Sequence, residues 1–340
     1  MNHFKLSFHS LKIFFLISIP FCIFLPIRSN EILRFITFKE MNNLFIFNKL
    51  YCSKPIGLWI IKDNLPNLLN QNILILRILG SFLSLCVIYC ILYIFKNYLR
   101  ENAFQKSLSF FFLSPLSIIA FSHFTLDCYL TILLFLASAF YFRYLLDKNR
   151  VFFVFSLFFL FLSFYIKGPL YPICYFLISF FVINTLLKNN LNLGKINNLI
   201  QLLSILGIFL FFYIANPEQC FTNKISLNEF IIRFLNPQTI YLFIYVRIRL
   251  IILILLQIIF INYFFREDFF FKNYFSILKM DIIQFYNHKY FPKIFFIFSM
   301  ILMFFIPGFQ IQYSYPFIML YTFLEFIIAK KIVLLNYKVN

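Results

Sequence analysis

The chain has 340 residues, 62% of them hydrophobic and 56 of them Phe, with a mean hydropathy of +0.88. Water-soluble domains carry about 45–50% apolar residues, so the composition excludes an ordinary soluble domain and points to a chain built to lie in lipid. The formal net charge of +18 would raise nucleic acid as a partner for a soluble protein, but here the basic residues are dispersed over short segments between apolar runs, which reads as membrane topology with no nucleic acid involved.

The opening MNHFKLSFHSLK leads into IFFLISIPFCIFLPI. A basic stretch before an apolar run has the form of a secretory leader. No A-x-A-like cleavage site follows, so the expectation is an uncleaved first span over 11–27. The next segment, 28–72, is long. Within it, RSNEILRFITFKEMNN sets Glu31, Arg34, Lys39 and Glu40 at helical spacing, with Ile32, Phe35, Ile36 and Phe38 between them. One reading is an amphipathic helix lying in the interface. The other is functional, with Asn30 and Glu31 at the membrane surface directly after the first span. Further along, YCSKPIGLWI places Lys54-Pro55 just before the chain's one Trp.

A membrane span needs about 20 apolar residues. Such stretches follow at 73–95, 107–123, 127–146, 151–166, 169–187, 197–215, 245–265, 293–308 and 313–332, which with the first makes about ten spans. The fold class expected is therefore an all-α integral membrane protein. It forms one membrane domain over 1–340, with no soluble C-terminal domain. Short loops decide the orientation. Lys96, Arg100 and Lys106, then Arg143, Lys148 and Arg150, then Lys188 and Lys195 all fall on the side of the N-terminus. Both termini are thus predicted cytoplasmic, and 28–72 and 216–244 are outer segments. Cys86 and Cys90 lie four apart inside an apolar run and read as packing residues. No CxxC pair, zinc-ligand spacing or disulfide framework is visible among the seven Cys.

Charged residues at membrane depth or at a span mouth are candidates for function. Asp127, in HFTLDCYLTILL, stands at the outer mouth of the 127–146 span. It can be a helix N-terminal carboxylate favoured by the macrodipole, with Thr125 as cap, or a reacting group. Lys54, Arg77, Lys167, Arg247 and Arg249 fall at or near the same outer surface. A cluster of cations there suits a phosphate headgroup. Individually each also fits a side chain snorkelling to the interface.

The segments NEILRFITFKEM (30–41), KPIGLWI (54–60), RILGS (77–81), LSPLS (113–117), LDCYLT (126–131), YIKGPLYP (165–172) and QYSYPFIML (312–320) occur in this order. In order and spacing they resemble the motifs of the lipid-linked-sugar glycosyltransferases of the aminoarabinose transferase and protein O-mannosyltransferase type, which have the membrane-embedded GT-C architecture. That family carries D-E…R-Y…E-M after its first span, then K-P-P-L-x-x-W, R-L-P, S-P, D-A-L-L, T-K-G-P and a late Y-x-x-P. The likeness runs from about residue 28 to 330. It implies an inverting transfer of a sugar from polyprenyl phosphate to an acceptor: lipid A, another envelope glycolipid or a protein. An acidic residue would activate the acceptor hydroxyl, and cations would stabilise the leaving phosphate. The family's second catalytic acid corresponds to Asp127. Its first corresponds to Asn30, with Glu31 beside it. Lys54 corresponds to the Lys that faces the donor phosphate, with Pro55 holding the chain out of helix there. Arg77, Lys167 and Arg247 complete the expected donor-phosphate set. Carboxylates beside a phosphate admit a divalent cation such as Mg²⁺ or Mn²⁺, and no other cofactor is expected. The resemblance also implies a bacterial cytoplasmic membrane, with the site facing the periplasm.

Where the family has K-P-P and R-L-P, this chain has Lys54-Pro55-Ile56 and Arg77-Ile78-Leu79. An amide at Asn30 cannot act as a base. One alternative to the transferase is therefore a degenerate relative that binds the lipid-linked sugar without transferring it; a second, which the layout of about ten spans permits, is a polytopic lipid or sugar transporter. Transporter sites lie near the bilayer midplane, whereas the candidate residues here gather at an outer mouth.

Overall fold

The structure is a computed structural model. It describes residues 8–25, 72–95, 126–167, 170–187 and 195–215, with single positions at 111, 121–122, 244–245, 248, 251–252, 255–256, 315–317, 319–320 and 323. The described part is all helical. Its segments are α1 (Phe8–Ile13), a π-helical turn (Phe14–Ser18), α2 (Ile19–Phe24), α3 (Ile73–Ile94), α4 (Leu126–Asp147), α5 (Arg150–Lys167), α6 (Leu170–Leu187) and α7 (Lys195–Ala215). Among the described residues two stretches are long and apolar enough to cross a membrane, Ile73–Ile94 and Asp127–Asp147. At 1.5 Å per residue they are about 33 and 32 Å long, against a hydrocarbon core of about 30 Å. Of the expected outer segments 28–72 and 216–244 all but Asn72 and Ile244 lies outside the described residues, as does the expected span 293–308.

Each helix has local causes. Pro20 has no N–H to give the carbonyl four residues back. The ladder absorbs the missing donor by shifting register: Ile19 N–H reaches Phe14 O, a π-type bond, before α2 resumes with Pro20 in its first turn. α2 ends because Leu25 precedes Pro26 and is extended, with φ −66° and ψ 134°. The side chain of Asn72 caps α3 by accepting from Leu74 N–H at 2.8 Å.

The α4–α5 connection is only Lys148-Asn149. Lys148 has φ 54°, and its N–H bonds Tyr144 O at 2.7 Å, which is an αL helix stop. Asn149 then starts α5 by accepting from Val151 N–H at 3.0 Å. A side chain in αL costs about 1–2 kcal/mol, so Lys148→Gly is expected to raise the unfolding temperature of the detergent-solubilised chain. Asn149→Ala is expected to lower stability by about 1 kcal/mol. Thermal unfolding of the two variants side by side checks both signs.

α4 is the central helix. It packs on α3, α5 and α6, while α5 also touches α6 and α7. Contacts along each pair fix the directions. Ser84 meets Cys128 and Phe95 meets Phe142, so α3 and α4 run parallel. Ser156 bonds the Ala137 carbonyl, and the Phe140 ring packs on Phe152, Phe155 and Phe159, so α5 runs back along α4. Arg77 meets the carbonyls of Cys22 and Leu25, and the Phe14 ring meets Phe82, so the N-terminal helical segment is antiparallel to α3. The described helical positions 315–317, 319–320 and 323 are buried in the core: Phe317 packs on Tyr175 near the start of α6, and Phe323 on Phe95, Phe135 and Phe142.

The bundle thus has two ends. One gathers Leu25, Asn72, Leu126, Lys167 and Leu170. The other gathers Phe95, Asp147 to Arg150, Leu187 and Lys195. Between Cys128 and Phe142, α4 has no charged residue. Large apolar side chains project outward from α5 (Val151, Val154, Phe155, Phe158) and α7 (Ile200, Leu203, Leu206, Leu210).

Candidate functional site

Arg77 sits on the inward stripe of α3, which runs through Leu76, Arg77, Gly80, Ser81, Ser84 and Ile88. Its guanidinium is buried, with 1% of the residue exposed. Nη1 donates to Cys22 O and to Leu25 O, both at 2.9 Å. Those carbonyls belong to the C-terminal end of α2, where helical carbonyls lack intrahelical donors and carry partial negative charge. One guanidinium nitrogen therefore closes the end of the first helical segment from a position more than 50 residues later. It also fixes where the chain leaves that helix, just before Asn30 and Glu31 in sequence.

Asp127 is in the first turn of α4 and is 7% exposed. Its carbonyl accepts from Thr131 Oγ1 at 2.6 Å. The neighbouring buried hydroxyl of Ser84 bonds back to Gly80 O at 2.7 Å and touches Cys128 Sγ at 3.6 Å. The Tyr129 hydroxyl lies beside Gly80, where an added Cβ would meet it at 3.8 Å, an ordinary van der Waals contact. Cys128 is level with Ser84, and Arg77 lies seven residues before Ser84. The two charged residues are therefore about 10 Å apart along the helix direction, on the same end of the bundle. Neither is without a further partner.

The main chain of Lys167 closes α5. α5 runs antiparallel to α4 with Ser156 beside Ala137, which brings the Lys167 backbone level with Leu126 and Asp127. Three of the residues singled out in the sequence thus share one end of the bundle. Asn30, Glu31, Lys54 and Arg247 lie outside the described residues, as do Thr125 and the side chain of Lys167. Among the described residues no group of three or more His, Cys, Asp or Glu could hold a metal ion. None of the described cysteines 22, 86, 90, 128 and 174 forms a disulfide.

Two of the motif segments meet inside the bundle. Tyr175, one turn after YIKGPLYP, donates its hydroxyl to the carbonyl of Pro316 in QYSYPFIML at 3.3 Å and accepts from Ser138 Oγ at 3.1 Å. No protein-family model, curated protein or solved structure matches the chain.

The opposite end holds polar groups that the sequence reading did not single out. Arg143 pairs with Asp147 at 2.6 Å and lies 5.7 Å from the ring centres of both Phe95 and Phe152, an ion pair combined with cation–π contact. Deeper in, Asn184 Nδ2 donates to Tyr141 Oη, Tyr141 Oη donates to Gln201 Oε1, and Gln201 Nε2 donates to Tyr144 Oη. The signal available in the sequence was weak but real: Asn184 and Gln201 are carboxamides inside apolar runs, where an unbonded amide is costly.

Proposed function

We propose that the chain is a membrane glycosyltransferase that moves a sugar from a polyprenyl-phosphate donor to an envelope lipid or protein at the outer face of the bacterial cytoplasmic membrane. The observation that carries this reading is that a buried carboxylate, Asp127, and a buried guanidinium, Arg77, lie at the same end of the bundle, about 10 Å apart along the helix direction. Ionisable groups at such depth are kept for function. The order of the seven motif segments supports the assignment of chemistry. The outward apolar faces of α5 and α7 support a bilayer as the medium. The architecture is taken to be GT-C-like, with about ten spans, both termini cytoplasmic and the site periplasmic.

In this mechanism Asp127, with Glu31, takes the proton of the acceptor hydroxyl as that oxygen attacks the anomeric carbon. The bond from that carbon to the phosphate oxygen breaks, and polyprenyl phosphate leaves with its charge met by Lys54, Arg77, Lys167 and Arg247. A divalent cation beside the phosphate is compatible with this set and is not required by it.

A second reading has one specific observation behind it. Asn30 stands where the resembled family has an acid, and an amide takes no proton. On that reading the chain binds lipid-linked sugar without turnover. Reconstituting the full chain with polyprenyl-phosphate sugars and envelope lipids, and following each donor by mass spectrometry, separates the two. Consumption of one donor class is the expected result. Binding without consumption by folded protein, with turnover gained in Asn30→Asp, establishes the second reading. Transport of intact donor across sealed vesicles overturns both in favour of a transporter.

A further inference from the structure

The network between α4, α6 and α7 can be accounted for group by group. Asn184 Nδ2 gives one hydrogen to Tyr141 Oη at 2.7 Å and the other to Phe180 O at 2.9 Å. The Phe180 contact fixes the amide orientation, because exchanging its oxygen and nitrogen would set two acceptors against each other. Asn184 Oδ1 is then left as a buried acceptor with no partner. Tyr141 Oη spends its hydrogen on Gln201 Oε1 at 2.8 Å. Gln201 Nε2 spends one hydrogen on Tyr144 Oη at 3.1 Å and has a second to give. Both carboxamides bond the same Tyr141 oxygen, so the buried acceptor and the spare donor belong to one connected network.

Tyr141 is fully buried and Gln201 is 2% exposed. Ring contacts with Phe180 and Phe153 lock Tyr141 and Tyr144 in place. The cluster is also near the bundle end: Asn184 is three residues before the end of α6, and Gln201 six after the start of α7. These offsets are about 5–9 Å along the axes.

We propose that Asn184 Oδ1 and the second Gln201 N–H hold one hydroxyl oxygen at this end of the bundle, supplied by a water molecule or by a hydroxylated lipid headgroup. A hydroxyl is the smallest group that both donates to the amide oxygen and accepts from the amide N–H. A buried carboxamide oxygen without a donor costs about 1–3 kcal/mol, and a bound hydroxyl removes that cost. The site is on the opposite end of the bundle from Asp127 and Arg77, so the proposal does not rest on the transferase reading.

The test uses the full chain in nanodiscs of phosphatidylethanolamine alone or with phosphatidylglycerol, whose headgroup carries free hydroxyls. Radiolytic labelling reads bound water at Tyr141, and native mass spectrometry reads retained phosphatidylglycerol. Labelling of buried Tyr141 in both lipid compositions, lost in Asn184→Leu, assigns the site to water. Selective retention of phosphatidylglycerol, lost in the same variant, assigns it to a lipid headgroup. Gln201→Met, which keeps a long side chain and removes the donor, serves where Asn184→Leu does not fold. A wild-type chain with neither signal, or signals unchanged in both variants, overturns the proposal and leaves the network as an interhelical tie alone.

Discussion

Asp127→Asn is expected to lower sugar transfer by about 10²–10⁴-fold, the range for loss of a positioned general acid or base, with the yield of folded protein unchanged. The two side chains are nearly the same size, so the packing of the first turn of α4 is kept. The backbone bond from Thr131 Oγ1 to the residue 127 carbonyl does not involve the side chain. What is lost is a negative charge at a helix N-terminus, about 0.3–1 kcal/mol of stability at exposed sites and up to about 2 kcal/mol in partly buried ones. The measurement is initial-rate donor consumption beside a thermal unfolding curve of the same preparation. Transfer that survives at the wild-type rate would remove Asp127 from the mechanism. A collapse in folded yield would instead give its carboxylate a structural role.

Arg77→Met is expected to lower stability by about 3 kcal/mol or more, because two charge-assisted hydrogen bonds are lost, each worth about 1.5–3 kcal/mol. The carbonyls of Cys22 and Leu25 would be left without this donor in a site where water is scarce. Arg77→Lys should fall between, since an ammonium keeps the charge and can donate to both carbonyls as Nη1 does, but it sits on a shorter stem and is more strongly hydrated. Thermal unfolding in detergent reads this directly. The contrast with a purely ligand-binding role is sharp. An arginine that only met donor phosphate would leave unfolding unchanged and raise KM for the donor. If Arg77 both closes α2 and meets phosphate through its other nitrogens, stability falls and KM rises together. Loss of the tie would also free the chain that leads to Asn30 and Glu31, so on the transferase reading kcat should fall as well.

Sequence by itself determined where the described helices lie. The expected spans 73–95, 127–146, 151–166, 169–187 and 197–215 correspond to α3 through α7, because an apolar run long enough to satisfy its own backbone has little choice but helix. It also held the helix ends, in Pro26 after α2, Asn72 before α3 and Lys148-Asn149 between α4 and α5. The π-helical turn before Pro20 was implicit in the missing N–H. These are interactions over one to five residues, and the local sequence contains both partners.

Only the tertiary structure decided which face of each helix turns inward. α4 and α6 are apolar nearly all round, and such a helix carries no stripe that marks its buried side. The partners of Arg77 could not be read for the same reason. They are backbone carbonyls on another helix, and a carbonyl has no signature in sequence. The link from Tyr141 to Asn184 and Gln201 likewise joins residues 43 and 60 positions apart, through rotations that packing sets and hydropathy does not. Asp127 stood out in sequence as a charge at the mouth of an apolar run. Its setting beside Ser84, Cys128 and Tyr129 came from the parallel packing of α3 on α4, a contact between faces that neither helix specifies alone.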